Sequence, residues 1–288
     1  RRVYYAILDS AGRGHFKPSQ SQVMKHFISL HQKIDQIMHD LETRQDFAEE
    51  PTDRCPYCDG YGNIIDEKGA RLCECAKKEV IRFEIEQARI PKHYHEHTLQ
   101  NFESNSSMLK GAQQKALSYI ANYSLENHKG LYIYGPTGAG KTHISIGILK
   151  GLIERGFDGV FYNIVDLLDT IRATYDPQHP LDEKNRLEIE LNRQIFVLDD
   201  FGVQKTSSWV QDRLYALINR RYQDCKTIII TSNMTLHDLE LQVDKRLSSR
   251  IIEMCEEIEI VADDYRKRTR PTYHDSRGLL PMRHTRKR

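Results

Sequence analysis

From about residue 113 onward, apolar positions switch repeatedly between two periods. Helical spacing is expected over residues 112–126, 141–155, 165–175, 184–192, 207–223 and about 244–250, and short, nearly all-apolar strands over 131–134, 159–164, 195–199, 227–231 and 257–261. Strands apolar on both faces that alternate with helices describe an α/β domain, a parallel sheet covered by helices on both sides. The upstream third reads differently. Val23, Phe27, Leu30, Ile34, Ile37 and Leu41 form a stripe at spacings of 4, 3, 4, 3 and 4, which predicts an amphipathic helix over 20–44. Its face needs a cover, either the chain's own cysteine segment or another protein. Glu49-Glu50-Pro51 interrupts the pattern, a charged helix is expected over 76–89, and Pro91 ends it.

Length and charge divide the chain further. A core of 150 to 200 residues leaves roughly 100 of the 288 for smaller units. The expected organisation is a helical N-terminal region (1–50), a cysteine module with its helix (51–88), an α/β core (89–265) and a basic tail (266–288). The tail holds nine Lys/Arg against Asp275 alone, so it is +8 within a chain of net +1. Its prolines and glycine argue against regular structure, and a solvated tail or an arm drawn to phosphates fits it. Apolar runs such as Ile195-Phe196-Val197-Leu198 are far below the roughly 18 residues of a membrane span. A soluble, cytoplasmic protein is therefore expected, and the lack of an initiator Met suggests a trimmed N-terminus.

Candidate chemistry begins at Gly135-Pro136-Thr137-Gly138-Ala139-Gly140-Lys141-Thr142, which matches G-x-x-x-x-G-K-[ST] between an expected strand and an expected helix. Backbone amides at such a turn wrap phosphates, Lys141 reaches the outer ones, and the Thr142 hydroxyl is placed for Mg²⁺. ATP and Mg²⁺ are thus the expected cofactors. Asp199, ending Ile195-Phe196-Val197-Leu198-Asp199, is the expected metal partner. Asp200 stands where many such ATPases carry the longer Glu that orients water, which predicts slow hydrolysis. Asn233, at the end of the following strand, is placed to sense the γ-phosphate. Arg246 and Arg250, one helical turn apart, either pair with nearby acids or reach a neighbouring subunit's ATP, with Arg250 the finger and Arg246 its helper.

Six cysteines are present, four of them in residues 55–75. Cys55-Pro56-Tyr57-Cys58 and Cys73-Glu74-Cys75, fourteen residues apart, can close a structural Zn²⁺ site. The second pair is C-x-C where C-x-x-C is commoner. A redox pair is the rival, but no thioredoxin-like βαβ context surrounds it. Cys225 and Cys255 are read as small, partly buried core thiols.

Together these residues resemble the DnaC/DnaI-type bacterial helicase loaders and the related IstB-type transposition ATPases. Beyond the phosphate loop, the likeness rests on Arg89-Ile90-Pro91-Lys92-His93-Tyr94, Thr98-Leu99-Gln100-Asn101-Phe102, Leu198-Asp199-Asp200-Phe201-Gly202, Ser207-Ser208-Trp209, Thr231-Ser232-Asn233 and Arg246-Leu247-Ser248-Ser249-Arg250-Ile251. The resemblance implies an AAA+ P-loop core and self-association that carries Arg250 to a neighbour's nucleotide. It also implies contact with single-stranded DNA and an N-terminal region that grips a DnaB-type helicase. Arg266 matches a C-terminal arginine position implied to contact phosphates in cis. A loader is the expectation that follows, with an IstB-like regulator on duplex DNA that recruits a transposase as the alternative. A kinase fits two positioned arginines and a strand-end Asn less well, and a decayed ATPase is disfavoured by intact Lys141, Thr142 and Asp199.

Overall fold

The computed structural model describes residues 55–66, 69–176, 178, 180–202, 207–242, 244–262 and 264–265. The expected helix over 20–44, the basic tail and Arg266 lie outside them. The chain divides into two compact units between Val80 and Ile81. The first holds an antiparallel hairpin, β1 (Asn63–Asp66) and β2 (Gly69–Leu72), followed at once by helix α1 (Glu74–Gln87). The hairpin was not legible as strand, because all four β2 side chains are exposed and no apolar alternation marks it.

The second unit is built on five parallel strands in the order β4-β5-β6-β3-β7. These are β3 (Gly130–Tyr134), β4 (Gly159–Asn163), β5 (Ile195–Phe201), β6 (Thr227–Ser232) and β7 (Cys255–Glu259). Successive side chains on a strand point to opposite faces, so an all-apolar strand feeds two cores. Leu131, Ile133, Ile195, Val197 and Ile229 enter one apolar cluster, and Tyr132, Phe196, Leu198, Ile228 and Ile230 enter the other. Helices α2 (Ser107–Asn122) and α3 (Lys141–Glu154) cover the first face with Leu109, Ala116, Ile144, Ile148 and Leu152. The opposite face is covered by α4 (Ile164–Ala173), α5 (Leu181–Leu191), α6 (Ser208–Gln223), α7 (Leu236–Gln242) and α8 (Lys245–Met254).

Most boundaries lie within a few residues of those read from the sequence, and the exceptions have local causes. Helix α2 starts at Ser107 because the Ser106 hydroxyl accepts the Leu109 amide and caps it. Helix α7 is seven residues long, too short for its period to register. Strand β7 begins at Cys255, directly after α8 ends at Met254. Cys255 is buried as expected, and burial pushes its thiol up to about 12. Cys225 is instead exposed, a correction: it occupies a left-handed turn after α6 (φ 51°) that carries its side chain away from the core.

One buried cation ties the lower ends of two central strands together. Arg221, 1% exposed on α6, donates to the carbonyls of Leu191, Arg193, Gln194 and Thr227. Burial lowers its pKa to about 9, which still leaves it charged at neutral pH. Arg221→Met leaves those carbonyls without their charged donor, so a loss of about 3–5 kcal/mol is expected. Urea unfolding of the two proteins checks it, and a difference under 1 kcal/mol would show that water replaces the guanidinium (roughly the value of one ordinary hydrogen bond).

Candidate nucleotide site

The loop after β3 is shaped by glycines that no other residue could replace without a shift. Gly135 has φ 149°, and a Cβ there would lie 2.0 Å from the Ile260 carbonyl oxygen. Gly140 caps α3 in the left-handed region (φ 100°), where a Cβ would meet the Phe102 ring at 2.7 Å. The turn thereby delivers its amides and the N-terminus of α3 to one point, a geometry that suits an anion. Lys141 begins α3 and is 6% exposed. Its ammonium donates to the Gly135 and Pro136 carbonyls, both at 2.9 Å, and to Asn233 Oδ1 at 2.6 Å.

The strand order brings the acids to the same place. The Thr142 hydroxyl donates to Asp199 Oδ1 and Oδ2 at 3.0 and 3.2 Å, and the Thr231 hydroxyl donates to Oδ1 at 2.6 Å. Burial pushes the Asp199 carboxyl up to about 6, reinforced by the charge of Asp200 and opposed by the two threonine hydrogen bonds and by Lys141. A desolvated carboxylate beside a threonine hydroxyl is a donor set that suits a hard divalent cation. Asp200 follows at φ 58°, within a register irregularity of β5 between Leu198 and Phe201, and its amide donates to the Thr231 hydroxyl. That local bend turns Asp200 into the cavity while Asp199 stays beneath the loop.

The cavity measures about 880 Å³ and is lined by the loop residues Thr137 to His143, Asp200 and Asn233. Its remaining walls were missed as such in the sequence. His93, Tyr94, His97 and Phe102 form one side, and Ala262 and Tyr265 another. Two anchors hold the aromatic wall. Arg89 donates to the Tyr162 hydroxyl and to Glu190 Oε2 at 2.9 and 2.8 Å. Burial alone would raise the Glu190 carboxyl, but the Tyr162 hydrogen bond and the Arg89 charge hold it below its usual range. Lys150, 6% exposed, donates to the carbonyls of Tyr94, His95 and His97. The His143 ring lies 4.5 Å from that of His97, and burial lowers the pKa of both, which favours neutral imidazoles. The wall's signal was present only as the aromatic density of residues 93–102, which has no fixed period.

In the first unit, Cys55, Cys58, Cys73 and Cys75 place their sulfurs within 4.8 Å of one another. A tetrahedron with Zn–S arms of about 2.3 Å has edges of about 3.8 Å. The observed 3.7 Å between Cys55 and Cys73 and 3.3 Å between Cys58 and Cys75 fit it. The turn between Cys58 and β1 passes through positive φ at Asp59, Gly60 and Gly62, which aims the Gly62 amide at Cys58 Sγ at 3.3 Å. Cys73 donates its amide to the Gly62 carbonyl, so the hairpin folds the second pair onto the first. The Tyr57 amide lowers the Cys55 thiol to about 7, whereas Cys75 is raised to about 12 by its hydrogen bond with Cys58. The four residues expected from spacing are thus brought together, C-x-C included, because Cys75 sits in the first turn of α1.

Arg246 and Arg250 sit on α8 and are absent from the lining of this cavity. Arg246 is paired with Asp244 at 3.0 Å and lies 4.9 Å from the Tyr215 ring centroid. Arg250 lies 4.2 Å above the Tyr222 centroid and 3.5 Å from Glu253. Among the described residues no helix is long and apolar enough to cross a membrane.

Comparison with known proteins agrees with this geometry. The family model for IstB-like ATP binding protein matches residues 70–272. Protein YqaM of Bacillus subtilis is 24% identical over 203 residues, 67% of this chain and 63% of YqaM. The insertion sequence IS21 putative ATP-binding protein of Pseudomonas aeruginosa is 26% identical over 175 residues, 59% of this chain and 61% of that protein. The chain therefore spans under two thirds of these relatives' length. The crystal structure of the DnaC helicase loader superposes with a TM-score of 0.55 at 28% identity, over 59% of this chain and 100% of the other.

Proposed function

From the premise that this chain belongs to the IstB-like ATP-binding proteins, AAA+ ATPases, we propose that it loads a hexameric replicative helicase onto single-stranded DNA under the control of ATP. The observation that carries this reading is the clustered cysteine module ahead of a core on which the crystallised chain of a helicase loader superposes throughout. In this reading the first 88 residues hold the helicase, and ATP and DNA set the state of the core. An aromatic and cationic group on the core supplies a surface for unstacked bases: Arg172 lies 4.9 Å from the Trp209 ring, whose edge meets Tyr175.

The residues divide the ATPase work. Lys141 and the loop amides bind and neutralise phosphate oxygens, and Thr142 with Asp199 would hold Mg²⁺, which supplies charge neutralisation. Asp200 polarises the attacking water from the bent end of β5, and Asn233, whose Oδ1 accepts from Lys141, donates its Nδ2 to the γ-phosphate. Asp200 is one methylene shorter than Glu, so turnover is slow. Arg250 acts in trans on a neighbouring copy's nucleotide, which its position away from its own cavity allows. Arg246, already forked onto Asp244, supports it.

Native mass spectrometry of this chain with the host's hexameric helicase, with and without ATP, tests the reading. A stable complex in at least one nucleotide condition is expected. No complex in either, together with ATP-dependent coating of duplex DNA, would favour the transposition role that the IS21 likeness suggests.

A further inference from the structure

We infer that Tyr222 and Glu253 are positioning residues for Arg250: the ring contact and the ion pair hold its guanidinium at the protein surface, poised for a neighbour's phosphate. The inference rests on the reading of Arg250 as a finger in trans and names the device that makes it one. Tyr215 and Tyr222 are seven residues apart on α6, hence nearly on one face, and Arg246 and Arg250 are one turn apart on α8. Each arginine lies over one of these rings, and each has an acid beside it. The two pairs differ in what the acid does.

Asp244 takes Arg246 Nη2 at 3.0 Å and Nε at 3.4 Å, so that guanidinium spends its fork on a carboxylate. Glu253 Oε1 instead accepts the Tyr222 hydroxyl at 2.7 Å, and its Oε2 stays 3.5 Å from Arg250 Nη1. The tyrosine thereby restrains the acid that would otherwise close on Arg250. A ring attracts a cation through its quadrupole and consumes no N–H donor. Arg250 is thus held by the ring at 4.2 Å and by a longer, single-point ion pair at 3.5 Å in place of a fork, and its side chain is one third exposed. Because arginine is otherwise a long, rotamer-rich side chain, this restraint raises the fraction of time the finger is ready.

The test separates the subunit that gives the finger from the one that receives it. Mixing Asp200→Asn protein, which keeps its arginine, with Arg250→Ala protein, which keeps its hydrolytic site, is expected to restore ATP hydrolysis that neither shows alone. With Tyr222→Leu added to the Asp200→Asn donor, restored kcat falls about three- to tenfold at unchanged KM for ATP. Tyr222→Phe, which keeps the ring, loses less than Leu does. Thermal unfolding of each donor reports whether it is folded. A leucine donor that restores the full rate overturns the positioning role, as does an equal loss when the leucine is placed in the receiver. If the unsubstituted pair restores nothing, the finger reading itself falls and takes this role with it.

Discussion

Lys141→Ala is expected to weaken ATP binding by about 10- to 150-fold, the equivalent of removing one charge-assisted hydrogen bond of about 1.5–3 kcal/mol. The ammonium is buried beneath the phosphate turn and held by Gly135, Pro136 and Asn233, so it arrives pre-placed and has little freedom left to lose on binding. Alanine removes the charge and also leaves two carbonyls and an amide oxygen without their donor. Some loss of stability accompanies the loss of affinity for that reason, and the two are separated by titrating nucleotide well below the variant's melting temperature. Calorimetric titration of both proteins with ATP and Mg²⁺ is the measurement. Equal affinities would mean that the triphosphate does not use this turn, and the assignment of Asp199, Asp200 and Asn233 would go with it.

Stripping metal from the first unit should unfold residues 55–75 while leaving the five-stranded core intact. The hairpin has no buried β2 side chains, and α1 adds no buried residues of its own. Among the described residues, the feature left to hold the segment is four sulfurs within 4.8 Å of one another, and a structural Zn²⁺ contributes about 10–16 kcal/mol at such sites in small peptides. Hydrogen exchange followed by peptide mass analysis, before and after chelation, reads the result. Amides such as Cys73 and Gly62 are expected to lose protection by orders of magnitude, and those of β3, β5 and β6 to keep theirs. A chelated, metal-free protein that still protects residues 58–75 would refute the zinc assignment.

Much of the ATPase core was visible in the residues because its determinants are local. A strand segment such as 195–198 needs apolar residues at every position to feed two cores, and the phosphate turn needs glycine where a Cβ would strike Ile260 or Phe102. Those constraints are written at short range. Cysteine spacing carried the four-cysteine cluster for the same reason, since ligand chemistry limits which residues can serve.

Chain order alone determined the alternation of strands and helices, the phosphate turn, the acid pair and the four thiol ligands. Only the tertiary structure decided what lies far apart in sequence and meets in space. The His93–Tyr94–His97 wall depends on Lys150 and Arg89, and Arg221 joins four carbonyls from a helix end, the loop after it and a strand. The placement of Arg250 depends on a tyrosine 28 positions earlier and a glutamate three positions later. A periodic pattern reports which face of an element is buried, because burial repeats with the backbone. It cannot report which partner that face finds, because that choice is made once, by the packing of the whole domain.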